Sequence, residues 1–540
     1  MSKHMIEVRD LNIWARGDNA PARHIVKNVS FTLQRGSCLA LVGESGSGKS
    51  VTARALVGLA GDGLQVQANT LKLHDETLLQ RSDNWWRNVR GRKVGFILQD
   101  ALVSLDPLRP VGKEIAEALA LHGWGNAASR QQKVHALLEE VGVPQAEYRA
   151  KQRPGELSGG LRQRALIASA IALHPDVLIA DEPTTALDVT VQAQVLEVLR
   201  QMLDRGTSVI LISHDLAVVA KIADQILVMQ GGKIVEAGEA QQVLQQPQHP
   251  YTQGLINAIP SEHTKGQRLS AAAPSVPAQP ITQSAEVLLE ARHVVKHFRG
   301  HRAVADVSFT LKRGETLGIV GESGSGKTTL SRIALALEAP DSGEVLFAGQ
   351  PWSHASVVAQ RAIRRQIAVV YQDPLSSFDP RWRVGDILLD AIALDQHPAT
   401  QTPRERAIGL LHAVGLGAEH LSQWPARMSG GQRQRVAIAR AIATHPQVIV
   451  LDEAVSALDV TIQAQILDLL SDLQAQLGVS YLFISHDLGV IHHMSDRVLV
   501  MQNGEAVEQG AADEVFYRPR HPYTQKLLAS LPRLAALETV

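Results

Sequence analysis

The sequence predicts an α/β protein in which one domain of about 250 residues occurs twice. First, the 540-residue chain is too long for one ordinary hydrophobic core. Second, its most informative segments recur in the same order in both halves. Third, in each half a short apolar run leads through a glycine-rich turn into a helical pattern. Such a strand, turn and helix are typical of a mainly parallel sheet.

The repeat extends well beyond one motif. GESGSGKS at 43–50 returns as GESGSGKT at 321–328, and LSGGLRQR at 157–164 returns as MSGGQRQR at 428–435. The segments ADEPTTALD, ISHDL and HPYTQ also have counterparts about 270 residues further along the chain. A period this long excludes a solenoid of short repeats and indicates two complete domains.

The segment between the two copies is predicted to be a linker. Residues 260–285 are rich in Ala, Ser, Gln and Pro and lack apolar periodicity. We therefore expect a first domain at 1–259, an extended linker at 260–285 and a second domain at 286–540. Each domain would end in a tail that contains HPYTQ. A linker of this kind would let the two domains meet face to face.

The composition is that of an ordinary soluble chain and argues against nucleic-acid binding. Charged residues make up 20% and the formal net charge is −1, so no basic excess is available for phosphates. Aromatic residues make up only 4%, which leaves few rings for stacking on bases. The N-terminus carries charges where a signal peptide needs an apolar segment, and no run approaches the ~18 apolar residues of a membrane span. We expect a cytoplasmic protein that reaches a membrane through partners.

The single cysteine, Cys38, excludes a disulfide framework within one chain. Its apolar neighbours predict a small buried residue in a strand. One cysteine also cannot ligate an iron–sulfur cluster, so none is expected. The 21 histidines are scattered and show no spacing typical of a metal site.

The glycine-rich segments are predicted to be phosphate-binding loops (P-loops). Their pattern G-x-x-x-x-G-K-[S/T] lets backbone N–H groups and a helix N-terminus surround phosphates. Lys49 and Lys327 would add positive charge, and the Ser50 and Thr328 hydroxyls would bind Mg²⁺. A chance match is the alternative for one such segment and is hard to sustain for two. The predicted ATP-binding residues are Gly43, Glu44, Ser45, Gly46, Ser47, Gly48, Lys49, Ser50, Gly321, Glu322, Ser323, Gly324, Ser325, Gly326, Lys327 and Thr328.

An acidic pair follows a buried strand in each copy, in VLIADE and VIVLDE. A parallel sheet presents such residues at its carboxyl edge. Asp181 and Asp452 are suited to the Mg²⁺ shell, and Glu182 and Glu453 to orienting or deprotonating an attacking water. The alternative is a solvated turn at a strand end, which the P-loops in both copies disfavour.

A Ser-Gly-Gly segment opens a helical stretch in each copy and would be a further anion site. Alone it would indicate only a capped helix. Here it precedes the acidic pair by the same number of residues in both copies, which favours a role in the same chemistry. The residues are Ser158, Gly159, Gly160, Ser429, Gly430 and Gly431.

Together these segments resemble the ATP-binding cassette (ABC) family over nearly the whole chain except the linker. The resemblance implies two tandem P-loop NTPase domains, each with a mainly parallel sheet core, an antiparallel β subdomain and a helical subdomain. In that family the Ser-Gly-Gly signature segment of one domain closes over the ATP of the other. Lys49 would then share an ATP with Ser429, and Lys327 with Ser158.

The resemblance also assigns roles to two further residue pairs. His214 and His486 match the switch histidine, which contacts the γ-phosphate and would act with the catalytic acids. Gln99 and Gln372 match the Q-loop glutamine, which lies near Mg²⁺ and near the contact with the transporter. Both pairs would therefore belong to the ATP site.

Three more positions follow from the resemblance. Asp188 and Asp459 match the D-loop aspartate. Phe298 lies where the family stacks an aromatic ring on adenine, and the alternative is a half-buried strand aromatic. The first copy has Ala15 at that position, and whether the neighbouring Trp14 replaces the ring stays open.

The tails and the segments after each Q-loop resemble the ATPases of the oligopeptide/dipeptide/nickel import family, including the fused pairs of glutathione and microcin C-type importers. This implies an ATP-hydrolysing subunit that energises binding-protein-dependent import of short peptides. It implies ATP and Mg²⁺ as cofactors, two integral-membrane permease subunits, and indirectly a periplasmic or extracellular substrate-binding protein. The chain would lie at the cytoplasmic face of the inner membrane, with its two domains paired.

Two departures from the pattern are small. Leu161 stands in the first signature where Gln432 stands in the second, and Ala454 replaces the proline of the first acidic segment. Neither removes a catalytic group, so both ATP sites are expected to hydrolyse ATP, at equal or unequal rates.

Alternatives from other classes remain. An ABC-F translation factor also has two cassettes, but its linker is long, helical and charged. A DNA-repair cassette protein would need zinc-binding cysteines, and a purely regulatory module would not need Glu182 and Glu453. Nickel chelates or modified peptides are alternative cargoes, and the direction of transport rests on resemblance alone.

Overall fold

The computed structural model describes residues 4–16, 22–61, 63–99, 104–185, 187, 189–261, 264–270, 284–298, 300–397 and 401–529. The chain forms two compact units, and the boundary between them falls between Ile256 and Asn257. No helix in these ranges is long and apolar enough to cross a membrane.

The first unit contains eleven strands among its described residues. They are β1 (His4–Ala15), β2 (Arg23–Gln34), β3 (Cys38–Val42), β4 (Leu64–Gln67), β5 (Thr70–Leu73), β6 (Glu76–Thr77), β7 (Val94–Ile97), β8 (Val177–Asp181), β9 (Ser208–Ile212), β10 (Gln225–Gln230) and β11 (Lys233–Glu239). Its helices are Lys49–Leu56, Asp83–Val89, Val111–Leu121, Ala127–Glu140, Ala146–Arg149, Gly159–Ala170, Val189–Asp204, Leu216–Ile222, Ala240–Gln245 and Pro250–Asn257, with a 3-10 turn at Pro154–Glu156.

A six-stranded sheet with the order β11-β10-β3-β9-β8-β7 forms the centre of the first unit. All neighbours are parallel except the edge pair β10 and β11. β3, β8 and β9 are buried along their whole length, as their continuous apolar runs predict. Because parallel strands end at one edge, the loops after β3, β9, β8 and β7 lie side by side there.

A second, antiparallel sheet has the order β2-β1-β5-β6, with β4 also paired to β1. The inward residues Ile6, Leu11 and Ile13 of β1 join Leu56 of the helix Lys49–Leu56 in one apolar cluster. This cluster packs the C-terminal half of that helix against β1. A helical layer made of Val111–Leu121, Ala127–Glu140 and Gly159–Ala170 packs beside them.

The second unit repeats this architecture. Its strands are β12 (Val287–Phe298), β13 (His301–Lys312), β14 (Thr316–Val320), β15 (Ser342–Phe347), β16 (Gln350–Pro351), β17 (Ile367–Tyr371), β18 (Val448–Asp452), β19 (Ser480–Ile484), β20 (Arg497–Gln502) and β21 (Glu505–Ala511). Its helices are Lys327–Ala334, Val357–Arg364, Val384–Ala393, Pro403–Ala413, Gly430–Ile442, Val460–Leu477, Leu488–Met494, Ala512–Tyr517 and Pro522–Ala529, with 3-10 turns at Pro374–Ser377, Ala418–Ser422 and Pro425–Arg427.

The sheet order of the second unit matches that of the first. The central sheet runs β17-β18-β19-β14-β20-β21, with only β20 and β21 antiparallel. The antiparallel sheet runs β13-β12-β15-β16. The predicted α/β fold with a parallel core, an antiparallel β part and a helical part is therefore present twice.

The first part of the expected linker packs on the second unit. Leu269 is buried, and its N–H and that of Ser270 donate to the Asp468 carboxylate at 3.0 and 2.9 Å. Arg268 donates two hydrogen bonds to Asp472 at 2.8 and 3.1 Å. We call residues 264–270 the docked segment; residues 271–283 lie outside the described part of the chain.

Candidate functional site

The P-loop of the first unit joins β3 to the helix Lys49–Leu56. Gly48 caps this helix with φ 104°, a backbone conformation that favours glycine. Gly43 also has positive φ, and a Cβ there would lie 2.2 Å from the Met229 carbonyl oxygen. The loop is therefore shaped by glycines, as the motif predicts, with its last residues at a helix N-terminus.

The P-loop lysines fold back over their own loops. Lys49 Nζ donates to the carbonyl oxygens of Gly43 and Glu44 at 2.7 and 2.9 Å. In the second unit Lys327 Nζ donates to Gly321 and Glu322 at 2.7 and 2.8 Å. Both lysines are buried, so each ammonium lies within its own glycine-rich loop.

The acidic pair of the first unit ends β8, next to the P-loop edge. Ser50 Oγ donates to Asp181 Oδ1 at 2.8 Å, which brings together the two groups predicted to bind Mg²⁺. The other oxygen, Oδ2, is buried without a hydrogen-bond partner among the described residues. Burial raises the pKa of Asp181, against the bond from Ser50. A buried, unsatisfied carboxylate oxygen beside a hydroxyl fits the shell of a hard cation.

In the second unit the corresponding aspartate has a different donor. Ser331 Oγ, one turn into the helix Lys327–Ala334, donates to Asp452 Oδ2 at 3.0 Å. Burial raises the pKa of Asp452, and the bond from Ser331 opposes this effect. The first unit has Ala53 at the equivalent helix position. Sequence reasoning missed Ser331, although the Ala-to-Ser difference between the copies was visible.

The predicted catalytic acids have left-handed backbones in both units. Glu182 has φ 53° and Glu453 has φ 51°, and both N–H groups donate to the strand alongside at 2.9 Å, to Ile212 and Ile484. A glutamate with positive φ is uncommon and costs backbone energy. The same conformation recurs at other matching positions of the two units, such as His174 and His445, so it is a feature of the repeated fold.

Each acid pairs with the histidine that follows the neighbouring strand. His214 Nδ1 lies 2.6 Å from Glu182 Oε2, and His486 Nδ1 lies 3.5 Å from Glu453 Oε1. Thr185 Oγ1 also donates to Glu182 at 2.8 Å.

These pairs shift the pKa values of both partners. Burial alone would lower the pKa of His214 and raise that of Glu182, but their mutual hydrogen bond and charge outweigh it, so the pKa of the histidine is raised and that of the acid lowered. In the second unit the bond to His486 lowers the pKa of Glu453, and the pKa of His486 is raised, against burial, by the same contact.

The Q-loop residues follow the next strand along the sheet. Gln99 comes after β7, which pairs with β8, and Gln372 comes after β17, which pairs with β18. Both side chains are exposed at the same edge as the acidic pairs. They are placed where a ligand and a second protein surface could both reach them.

The signature segments lie on the helical layer. Ser158 and Ser429 cap the helices Gly159–Ala170 and Gly430–Ile442 and are exposed. Their hydrogen bonds within the described residues are helix caps and do not join the P-loops. Within each unit, the structure therefore does not bring the signature serine into the cluster of P-loop, acidic pair and histidine.

The D-loop and adenine positions are resolved only in part. Asp459 caps the helix Val460–Leu477 by accepting the Ile462 N–H, while Asp188 lies outside the described residues. Phe298 is 44% exposed at the end of β12, and Lys296 Nζ lies over its ring, 5.3 Å from the ring centroid. Trp14 instead stacks on His24, with ring centroids 4.5 Å apart.

Sequence reasoning also missed contacts from the HPYT tails. The Tyr251 hydroxyl accepts the Glu44 N–H at 2.9 Å, and the Tyr523 hydroxyl accepts the Glu322 N–H at 3.1 Å. The signal that could have found this contact is the repetition of the tyrosine in both copies.

Comparisons with known proteins identify the family of the chain. The ABC transporter family profile matches residues 26–185 and 304–456, and the profile of the oligopeptide/dipeptide transporter C-terminal region matches residues 235–284 and 507–539. The glutathione import ATP-binding protein GsiA of Escherichia coli K12 is 43% identical over 98% of this chain and 90% of its own length. GsiA of Pectobacterium atrosepticum is 41% identical over the same shares.

Among solved structures, cbiO1 of Clostridium perfringens, part of the ABC transporter complex cbiONQ, is 28% identical over 43% of this chain and 92% of its own, with a TM-score of 0.40. The chain belongs to the ABC transporter family, and it is a tandem ATP-binding, ATP-hydrolysing subunit of that family. The HPYT tails and the relatives exclude the ABC-F interpretation. From here on the two units are called the first and second cassettes.

Proposed function

We propose that this chain hydrolyses Mg²⁺-ATP to energise a binding-protein-dependent importer of short peptides. The observation that carries the proposal is the cluster of P-loop lysine, acidic pair and histidine at one sheet edge in both cassettes. The tails, which match an oligopeptide/dipeptide transporter region, and relatives named for glutathione import favour peptides over nickel chelates.

The first cassette would hold Mg²⁺ with Ser50, Asp181 and Gln99, and the second with Thr328, Asp452 and Gln372. The cation would neutralise charge on the terminal phosphates. Lys49 and Lys327 would leave their loop carbonyls and bind the phosphates.

Glu182 and Glu453 would accept the proton of the attacking water. The paired histidines, whose pKa values are raised, keep each carboxylate ionised and aimed at one position. The ionised acid is the form that can accept a proton, so these pairs favour the competent state.

We also propose that the two cassettes pair within the chain, with Ser429 completing the ATP site of Lys49 and Ser158 that of Lys327. Support comes from the family membership and from the exposed position of both signature serines. A Ser45→Cys, Ser429→Cys variant should form an internal cross-link with a short bifunctional maleimide, and ATP should increase the yield. Cys38 is buried and would not compete. An unchanged yield with ATP would contradict the pairing.

Two permease subunits and, through them, a substrate-binding protein are the proposed partners, with the chain at the cytoplasmic face of the inner membrane. The exposed Gln99 and Gln372 lie at the sheet edge where such a contact would be made. A mild-detergent pull-down of the tagged chain should recover one copy of it with two multi-span subunits. Recovery without any membrane protein would contradict this proposal.

Uptake in cells that lack the gene tests the transport function. Wild-type chain should restore uptake of labelled glutathione or of di- and tripeptides, and the Glu182→Gln, Glu453→Gln variant should not. Uptake of labelled nickel instead of peptides would contradict the proposed cargo but not the proposed ATPase activity. Restoration by the double variant would overturn the proposed function.

A further inference from the structure

The tyrosine of each HPYT tail reaches the P-loop of its own cassette. Tyr251 and Tyr523 each accept the N–H of the second P-loop residue, Glu44 or Glu322. The contact joins positions 207 residues apart in the first cassette and 201 in the second. The same tyrosine-to-loop contact occurs in both cassettes, although the residues around HPYTQ differ between the two tails. The contact is therefore unlike an accidental one.

The other tail residues hold this tyrosine in place. His249 Nδ1 accepts the Tyr251 N–H at 3.2 Å, and Pro250 begins the helix Pro250–Asn257, as prolines commonly do. The Glu236 carboxylate of β11 accepts the N–H groups of Gln248 and His249 at 2.7 and 3.1 Å.

The second tail has the same bonds. His521 accepts the Tyr523 N–H at 3.2 Å, and Glu508 accepts the N–H groups of Arg520 and His521 at 2.8 and 3.1 Å. The tail is thus fixed on its central sheet, and the tyrosine hydroxyl is aimed from a rigid base.

The loop peptide that the tyrosine contacts is held from two sides. The Glu44 N–H donates to Tyr251, and its carbonyl oxygen accepts from Lys49. When Lys49 turns to bind phosphate, the bond to the carbonyl is released, whereas the bond to the tyrosine does not depend on the lysine. The tyrosine therefore fixes the entry of the loop in the step where the lysine no longer does.

We propose that Tyr251 and Tyr523 are positioning residues that keep each P-loop in its phosphate-binding shape, so that the HPYT tails support the ATP affinity of their own cassettes. This inference rests on the proposed role of the P-loops in ATP binding. The tyrosines touch the loop and act through it on the nucleotide.

Removal of the hydroxyls tests the inference on the full chain. A Tyr251→Phe, Tyr523→Phe variant keeps each ring and removes the hydroxyl that accepts the P-loop N–H, so the KM for ATP and the Kd for TNP-ATP should rise about fivefold. The kcat at saturating ATP should change less than twofold, because the acids and histidines are untouched. Tyr148→Phe, which alters an exposed tyrosine of the first cassette, is the matched control and should change neither constant.

A second variant tests whether the effect can also be produced without changing the tyrosine. Glu236→Gln keeps Tyr251 and weakens the bonds that fix the first tail, so it should raise the KM for ATP in the same direction by about twofold or threefold. A lower thermal midpoint with unchanged KM and Kd in the tyrosine variant would overturn the inference, since that pattern is a structural effect alone. No change in any of these quantities would overturn it too.

The Lys49→Ala, Lys327→Ala variant separates this inference from the proposed function. Loss of TNP-ATP binding in the lysine variant together with wild-type constants in the tyrosine variant would leave the P-loop assignment standing and remove the role of the tails. Retained nucleotide binding in the lysine variant would overturn the proposed P-loop function itself, and the inference with it.

Discussion

In the first cassette the Glu182 carboxylate lies 2.6 Å from His214 and also accepts the Thr185 hydroxyl. In the second the corresponding distance, Glu453 to His486, is 3.5 Å, and Ser456 donates instead to the Glu453 carbonyl oxygen. The same sequence motif therefore gives the Glu182 carboxylate more and closer contacts than it gives the Glu453 carboxylate.

For the aspartates that precede these glutamates, the first cassette has the less complete hydrogen bonding. Asp181 has one oxygen bound by Ser50 and one without a partner among the described residues, whereas Asp452 Oδ2 is held by Ser331. The first cassette therefore has the more tightly held of the two proposed catalytic glutamates and the less satisfied of the two proposed metal-binding aspartates. Equal motifs do not imply equal sites, and the following predictions test how far the difference extends.

The largest effect is expected from the catalytic acids. Glu182→Gln with Glu453→Gln should lower ATP hydrolysis by about 100-fold or more, because the general base is lost at both sites. Of the single variants, Glu182→Gln should lose more activity, since Glu182 is the better-positioned acid. Phosphate release at saturating ATP measures this, with TNP-ATP binding as the control for folding. Equal losses from the two single variants would contradict the comparison.

The histidine pairs should differ in stability. His214→Asn should lower the free energy of unfolding by about 2 kcal/mol, and His486→Asn by about 1 kcal/mol, because only the first pair is within close hydrogen-bond distance. Denaturant unfolding checks both values. A larger loss of unfolding free energy in His486→Asn than in His214→Asn would contradict the conclusion that the first pair is the stronger one.

The same variants carry a pH dependence. The pKa of His214 is raised in the folded chain, so the stability it contributes is fully present below its unfolded pKa of about 6.5 and is lost as the pH rises through the folded value. The cost of His214→Asn should therefore be largest near pH 6 and shrink at alkaline pH. A cost that grows with pH would contradict the ion pair.

Exchange of the helix residues should partly exchange the aspartate environments. Ser331→Ala leaves a buried carboxylate oxygen of Asp452 without its donor and should cost about 1 to 2 kcal/mol of stability. Ala53→Ser should give Asp181 Oδ2 a donor and raise stability by up to about 1 kcal/mol. Thermal unfolding of both variants tests this, and a stabilising Ser331→Ala would contradict it.

The smallest effect is expected at the signature helices. Ser429 and Gln432 form a reciprocal capping box, whereas in the first cassette Ser158 only accepts the Leu161 N–H. Leu161→Gln should complete the box and stabilise the first cassette by about 0.5 kcal/mol, and Gln432→Leu should cost a similar amount. Denaturant midpoints of the two variants should therefore move in opposite directions.

Much of this architecture is predictable from the sequence, because the informative signals are local. Continuous apolar runs identify β3, β8 and β9, and the glycine pattern places the P-loop between a strand and a helix. Family resemblance then supplies the three parts of each cassette, but the order of the strands comes from the structure alone. The roles of the individual site residues stay predictions, and Asp188 lies outside the described residues.

The contacts that sequence reasoning missed depend on distant segments. Tyr251 and Glu44 are 207 residues apart, and no local pattern predicts that a tail hydroxyl reaches a loop amide. Ser331 follows its P-loop closely in sequence, but its hydrogen bond goes to Asp452, which lies 121 residues away at the end of β18. Its contact could therefore not be predicted from the local sequence. The docking of residues 264–270 depends on a buried carboxylate that composition does not reveal.

The docked segment, residues 264–270, contributes hydrogen bonds to a buried carboxylate of the second cassette. Asp468 is 4% exposed and is satisfied by the N–H groups of Leu269 and Ser270 and by the Ser270 hydroxyl. A gene fragment that begins at Val287, where the sheet starts, would remove these three donors from the Asp468 carboxylate. A fragment that begins at Asn257 keeps them. Part of the stretch that composition assigns to the linker therefore packs on the second cassette and satisfies one of its buried carboxylates.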